Sequence, residues 1–376
     1  MTTHSDVETS VSDYAELTLI YGHVQTYDWG PVDGLAAWQP DAPAGQPQAE
    51  LWFGDHPAGP SPLIDGSHRT LADVRQSRSP LLLKVLSAAR PLSLQVHPDD
   101  ATAAAGMTEF RTSVDGPVLA DSFGKDEMVL ALTEFRLLAG FRPAAVATPM
   151  LRALGGQMEA IADTYRTQGP IAAAAATFEL EPSVVTTLTA RIDSVLAATD
   201  HHPATRESLA HLVASYPSDP AVLVAYMLQH RVLAPGEALH VTPGTPHAYL
   251  HGTAVELMTN SDNVLRLGFT SKPVAIEAAL SILQTQPGQI IVGAGPANDA
   301  VYYAGGAPFL MRKVTRDVEL LESPHRLVFC LEGGALVHSN GTTFALSKGV
   351  ALVGDNWGSG RVQVRPESVV VIAELA

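Results

Sequence analysis

The hydrophobic period of this 376-residue chain changes more than once, and no other feature restricts its fold as much. Over residues 15–145, apolar runs such as 81–86 and 91–96 are short and separated by Gly, Pro, Asp and Ser clusters, as strands joined by turns are. From 148 to about 231 the chain is instead rich in alanine and leucine at three- and four-residue spacing, in PMLRALGGQMEAIADTY, VVTTLTARIDSVLAAT, SLAHLVASY and AVLVAYMLQHRVL. That spacing predicts amphipathic helices, punctuated by Pro203, Pro217 and Pro220. Strand character returns at Pro235-Gly236 in EALHVTPGTPHAYL and AVELMTNSDNVLRLGF, one more helix is expected over 273–284, and strands follow from Gln289 to the end. Short strands at about 8–12-residue spacing predict a β-sandwich or jelly roll. The expected class is mainly β with an α insertion: a β domain from 15–147 and 232–285, a helical insertion at 148–231, and a second, smaller β domain at 286–376.

An apolar fraction of 46% is ample for sizeable cores, and a charged fraction of 16% argues against disorder. With 23 basic and 39 acidic residues the formal charge is −16. Broad binding to nucleic acid or an anionic membrane is disfavoured, because the phosphate contribution is repulsive. A small anionic ligand requires a local cluster of cations instead. The single cysteine, Cys330, excludes an internal disulfide and a multi-thiolate metal site. The opening MTTHSDVETS lacks the basic start and apolar run of a secretory signal, and no apolar stretch reaches about 18 residues. A cytoplasmic globular protein is expected. Only five basic residues are lysines, Lys84, Lys125, Lys272, Lys313 and Lys348, so each is a poor candidate for surface filler.

Three segments carry polar groups on strand-like spacing. In Leu92–His97 the residues Ser93, Gln95 and His97 share one strand face, with Leu92, Leu94 and Val96 on the other. Gly124-Lys125-Asp126-Glu127-Met128 precedes an apolar strand, and a Pro-Gly turn leads into His247 and Tyr249, which also share a face. Taken singly, each reads as a solvated strand face, a charged turn or a structural histidine. Together Gln95, His97, Glu127 and His247 offer nitrogen and oxygen donors that suit Zn²⁺ or another borderline divalent ion, or Fe²⁺ in a two-His-one-carboxylate site. Glu256 alternates with apolar neighbours, Asp262-Asn263 forms a turn, and Arg266 and Lys272 follow. Lys84, Lys125 and Lys272 fall in or beside these segments, a cationic cluster fit for a phosphorylated small molecule.

The strings YDWG (27–30), AELWFGDHP (49–57), KVLSAARPLSLQVHPDD (84–100), KDEM (125–128), PHAYL (246–250) and SDNVLRLGFTSK (261–272) resemble type I mannose-6-phosphate isomerase, in the same order along the chain. The resemblance spans about residues 21–272, skips the helical stretch and weakens over the C-terminal β region. It implies a cupin-type jelly roll with a helical insertion and a second jelly roll. It also implies one Zn²⁺ per chain, held at Gln95, His97, Glu127 and His247, and a catalytic arginine at Arg266. The implied sugar-phosphate pocket is lined by Trp29, Lys84, Ser93, Lys125, Tyr249, Glu256, Asp262 and Lys272. FGKDEM stands where the family usually has Lys-Pro-Glu-Met, the VTPGTPHAYL turn is shorter than the usual loop, and FTSK replaces LTPK; no ligand is lost.

The implied reaction interconverts D-mannose 6-phosphate and D-fructose 6-phosphate through a cis-enediol, in carbohydrate metabolism toward GDP-mannose. Arg266 suits stabilisation of the enediolate. Glu256 is the leading base, with Asp262 and Lys125 as rivals. Lys84, Ser93 and Lys272 are the expected phosphate contacts, and Trp52 and His56 are read as packing. The expected partner is a small sugar phosphate, with no nucleic acid and no membrane; a monomer is expected, with a dimer as the alternative. Three competing readings remain: an iron cupin dioxygenase, a metal-dependent isomerase of free mannose or related aldoses, and a non-enzymatic sugar-binding or regulatory cupin.

Overall fold

Alternation along the central strands decides which side chains enter which core. In the strands Glu50–Phe53 and Leu81–Ala88, the residues Leu51, Phe53, Leu83 and Val85 turn one way. Glu50, Trp52 and Lys84 turn the other way, into a cavity. The apolar set packs with Met128, Val255 and Leu257 against Phe309, Leu327, Phe329 and Val353 from the C-terminal strands. The computed structural model that gives these positions describes residues 17–39, 42–75, 77–110, 117–198, 203–285, 289–293 and 299–376. The expected start of the first domain at 15–16, the acidic N-terminal segment and the expected boundary at 286 lie outside the described residues.

The larger sheet has eleven strands. Its main path runs Gln289–Val292, Glu237–Val241, Glu127–Ala131, His247–Thr259, Leu81–Ala88, Glu50–Phe53 and His23–Gln25, all antiparallel. The 13-residue strand His247–Thr259 belongs to two halves of this sheet. Its C-terminal part pairs with Leu81–Ala88 and Glu127–Ala131, and its N-terminal part with Leu94–Val96 and Phe135–Phe141. The switch falls at Gly252, whose φ is +113°, beside a register shift. A Cβ there would strike the Glu134 carbonyl oxygen and Phe135 Cα. The two halves fold over a core that includes Leu86, Val129, Phe135, Leu137 and Leu239.

A six-stranded sheet lies behind the larger one, and its far face, with Val328, Cys330, Leu352 and Val370, packs on a four-stranded sheet. The class is therefore mainly β with a helical insertion, as the hydrophobic periods predict. The edges differ from the expected division. Thr18–Tyr21 pairs with Val350–Trp357 in the C-terminal sheet, while Gln289–Val292 pairs with Glu237–Val241 in the first. Each β unit thus takes an edge strand from the other's stretch of sequence, and their facing sheets share one apolar core.

Among the described residues, six helices run from Ala144–Leu154 to Ala221–Tyr226. Buried positions 147, 148, 150, 151 and 154 in the first, and 185, 188, 189, 192 and 196 in Pro182–Ala197, follow the helical period. The helix expected to run to 231 ends at Tyr226, and Leu228–Leu233 is a strand. It pairs with Phe135–Phe141, so an available strand edge overrides local helical spacing. Among the described residues no helix is long and apolar enough to cross a membrane.

The Gly252 switch predicts a measurable penalty. Gly252→Ala should lower the urea unfolding free energy by about 2 kcal/mol or more. Gly305→Ala, whose new Cβ would meet no atom within 4 Å, should be close to neutral. Equal midpoints for the two variants would contradict this account of the strand.

Candidate metal centre and active-site cavity

Strand register assembles the site. Trp52, Lys84 and Glu256 stand opposite one another on three adjacent strands. Gln95 stands between His247 on one neighbour and Arg266 on the other, and Glu127 pairs with Met258 two residues beyond Glu256. Cross-strand neighbours on one face lie close enough for direct contact, so residues far apart in sequence converge without any loop having to carry them.

The deepest group is His97, Glu127 and His247, all buried, with ligand atoms within 4.8 Å of one another. His97 Nδ1 donates to the Asn263 carbonyl at 2.8 Å, and His247 Nδ1 donates to the Thr245 carbonyl at 2.9 Å. In the neutral form each ring therefore carries its proton on Nδ1 and turns the Nε2 lone pair to the centre. His97 Nε2 is 3.1 Å from Glu127 Oε1 and His247 Nε2 is 3.5 Å from Glu127 Oε2. His97 Nε2 is buried and makes no hydrogen bond of acceptable geometry. Lone pairs facing a carboxylate repel one another unless a cation lies among them, so this orphaned nitrogen fits a metal ligand. Burial, aided by the Lys125 charge, pushes the His97 imidazole down to about 3, which keeps its lone pair free for a metal. Gln95 completes the set. Ser93 Oγ donates to Gln95 Oε1 at 3.1 Å, and the amide nitrogen sits 3.3 Å from His247 Nε2. A half-turn of that amide presents its oxygen to the same centre.

Around the donors lies a layer of buried charge. Lys125 Nζ is 2.9 Å from Glu127 Oε1, and the Tyr249 hydroxyl donates to Glu127 Oε2 at 3.2 Å. Burial alone would raise the Glu127 carboxyl, but the Lys125 ammonium is foremost in holding it well below the usual range. Lys84 Nζ is 3.0 Å from Glu256 Oε2 and 3.9 Å from Glu50 Oε1, while Trp52 Nε1 donates to Glu50 Oε2 at 2.7 Å. Burial opposes the Lys84 charge, yet these carboxylates outweigh it and hold the ammonium in place. Glu256 is raised, first by burial and then by the Glu127 and Glu50 charges, against the pull of Lys84. Three carboxylates share two ammoniums here, and Glu256 must share Lys84 with Glu50.

These residues border a cavity of about 530 Å³. Gln95 and Glu127 line it, and the two histidines are buried behind them. Arg266, Lys272 and Asp262 line its outer part, with Tyr216 and Phe269. Asp219 from the helical insertion accepts the Phe269 amide at 2.7 Å, so that insertion also shapes the cavity wall. Among the described residues no carboxylate lies within 4 Å of the Arg266 or Lys272 charge. Lys272 Nζ sits 4.6 Å over the Tyr27 ring. Burial and then the Arg266 charge lower the Lys272 amine.

The cavity brings together eleven of the thirteen residues singled out from sequence, and His97 and His247 complete the donor set behind it. Two sit in unexpected surroundings. Lys84, expected at a phosphate, is matched by buried carboxylates, and the Tyr249 hydroxyl serves Glu127. Sequence reasoning missed Glu50, Trp52 and His56 as cavity residues and Asn263 as the partner of His97. The signal for the first two was present, since Glu50 and Trp52 alternate with Leu51 and Phe53. Asn263 acts through its backbone carbonyl, which residue type does not reveal.

Residues 17–144 match the family described as phosphomannose isomerase type I, catalytic domain. Mannose-6-phosphate isomerase 1 of Arabidopsis thaliana is 31% identical over 321 residues, 74% of this chain and 73% of that protein. Mannose-6-phosphate isomerase of Escherichia coli strain K12 is 29% identical over 366 residues, 87% of this chain and 91% of that protein. A solved structure of a phosphomannose isomerase variant from Salmonella typhimurium shares the fold, with TM-score 0.83 and 24% identity, covering 96% of this chain and 99% of that one. A structure of mannose 6-phosphate isomerase bound with zinc and yttrium also shares it, with TM-score 0.81 and 23% identity, covering 96% of this chain and 99% of that one.

The donor set predicts that Zn²⁺ added to metal-stripped protein raises its Tm, by the equivalent of about 2.7 kcal/mol at 100 times the Kd. His247→Ala should abolish the rise. His338→Ala, in the C-terminal four-stranded sheet, should preserve it. A rise that survives His247→Ala would place the ion elsewhere.

Proposed function

The chain belongs to the type I mannose-6-phosphate isomerase family, and we propose that it interconverts D-mannose 6-phosphate and D-fructose 6-phosphate with one Zn²⁺ at Gln95, His97, Glu127 and His247. One observation carries the reading: an orphaned imidazole nitrogen and a buried carboxylate converge beside a cavity that also holds Arg266, Glu256 and Lys272. Held by these four residues, zinc would supply a fixed positive charge beside the substrate, to stabilise developing negative charge or to hold the sugar and its water.

The chain's own residues account for the remaining steps. A carbon acid next to a carbonyl needs a base whose pKa lies near the working pH. Glu256 is raised toward that range and already rests against Lys84. It takes the proton from C2 and returns it to C1, while the proton on O2 passes to O1, so nothing is gained or lost overall. Arg266, cationic in either state, stabilises the enediolate between the two transfers. Lys272, with Arg266 beside it and, among the described residues, no carboxylate within 4 Å, is the leading phosphate contact, with Ser93 as a hydroxyl donor. Lys84 serves this reading better as the partner of Glu256 than as a phosphate contact, because its charge is already matched. Tyr249 steadies Glu127, and Trp29 forms part of the sugar wall.

The working unit is proposed as a monomer, with a dimer as the alternative, and a small sugar phosphate as its partner. The −16 charge supports the absence of nucleic-acid or membrane partners. We propose a cytoplasmic role in supplying mannose 6-phosphate toward GDP-mannose, a reading supported by a charged substrate that does not cross membranes unaided.

A coupled assay of fructose 6-phosphate formation tests the proposal. Arg266→Ala should lower kcat by about 10²–10³-fold, and Glu256→Gln by about 10²–10⁴-fold with KM little changed. Lys272→Ala should act mainly on KM. Metal-loaded, folded protein that is inert toward mannose 6-phosphate would contradict the assignment. Oxygen consumption would favour the dioxygenase alternative, and activity on free mannose alone would remove the phosphate site.

A further inference from the structure

His56 was expected only to pack, and the structure gives it one hydrogen bond and one close approach to a carboxylate. It follows the strand Glu50–Phe53, its side chain is 2% exposed, and its ring meets Trp52 edge-on at 4.9 Å. Its Nδ1 accepts the Ala58 backbone N–H at 3.2 Å. With that lone pair occupied, the neutral ring carries its proton on Nε2. Nε2 lies 3.4 Å from Asp262 Oδ1. The backbone of Asp262 is held separately, since its N–H donates to Asp121 Oδ2 at 3.0 Å. Asn263 anchors the same turn by donating from Nδ2 to the Phe123 carbonyl at 2.7 Å. Asp262 thus enters the cavity wall with its main chain fixed by one partner and one carboxylate oxygen addressed by another, while its side chain stays 54% exposed.

We propose that His56 is a positioning residue, a tautomer-locked Nε2–H donor that fixes the Asp262 carboxylate in one orientation and leaves its second oxygen for a substrate hydroxyl. This rests on the reading of the cavity as a sugar-phosphate site. The charged and titratable groups facing Asp262 are His56, Asp121, Lys84, Lys125, Arg266, Lys272 and Tyr27. The His56 imidazole at 3.4 Å is the foremost influence holding the Asp262 carboxyl below its ordinary range, with burial opposing it and the two lysines assisting. The sign follows directly. A depressed carboxyl stays ionised to lower pH, so losing the donor raises the pKa and moves the acidic limb of the kcat/KM profile to higher pH.

Three variants of the zinc-loaded enzyme test this. His56→Phe keeps a ring against Trp52 but removes both nitrogens. His56→Asn places an amide near the Nδ1 position, too short to reach Asp262. His56→Gln places an amide N–H near the Nε2 position. The expected result is a fall in kcat of about tenfold or more for His56→Phe and His56→Asn, with the acidic limb shifted upward and KM little changed. His56→Gln should recover most of the loss and restore the limb, with zinc content unaltered in all three. If His56→Phe does not fold, the contrast between His56→Asn and His56→Gln decides. Wild-type kcat and pH profile in His56→Asn, or equal impairment of His56→Asn and His56→Gln, would overturn the inference while leaving the isomerase reading intact. Inactive wild-type enzyme would overturn both.

Discussion

A buried carboxylate facing two imidazole lone pairs is the interaction on which the rest of the molecule depends. Glu127 sits at the junction of both, 1% exposed, where an uncompensated charge is costly. Lys125 and Tyr249 each engage one of its oxygens, but neither relieves the clash with His97 Nε2. A divalent cation relieves it. The same charge count governs the neighbouring pair, where Glu256 and Glu50 share Lys84. A carboxyl left partly unsupported in this way is suited to passing a proton back and forth.

The sheet holds Glu50, Lys84, Glu127 and Glu256 rigidly because each stands on a strand whose opposite face is locked into an apolar core. Leu51 and Phe53 anchor the strand of Glu50 and Trp52, Leu83 and Val85 that of Lys84, and Val255 and Leu257 that of Glu256. The C-terminal sheet supplies the other side of that core, so it acts as a backing plate for the catalytic face. Arg75 adds a polar tie between the two units, 3.1 Å from Asp55 and 2.7 Å from Asp355. The strand that carries His247, Tyr249 and Glu256 serves both halves of the larger sheet only because Gly252 lets it change direction.

Much of this was legible in the sequence. The change from strand to helix spacing located the insertion, and period-2 spacing put Ser93, Gln95 and His97 on one face. The donor set emerged from three separate strings, each weak alone. What stayed hidden has a common physical character. The strand Leu228–Leu233 depends on an edge offered by Phe135–Phe141, and the exchange of Thr18–Tyr21 and Gln289–Val292 between units depends on long-range pairing. The tasks of Asn263 and Thr245 reside in backbone carbonyls. The role of Lys84 depends on which carboxylates register places beside it. Local sequence carries none of these, because each is decided by a partner far along the chain.

The most direct test of the central claim is anomalous diffraction at the zinc edge from crystals of the zinc-loaded protein. The account predicts one strong peak about 2.0–2.2 Å from His97 Nε2, His247 Nε2 and a Glu127 oxygen, with the Gln95 amide oxygen turned toward it. A peak away from these residues, or fully loaded crystals with none among them, would contradict it.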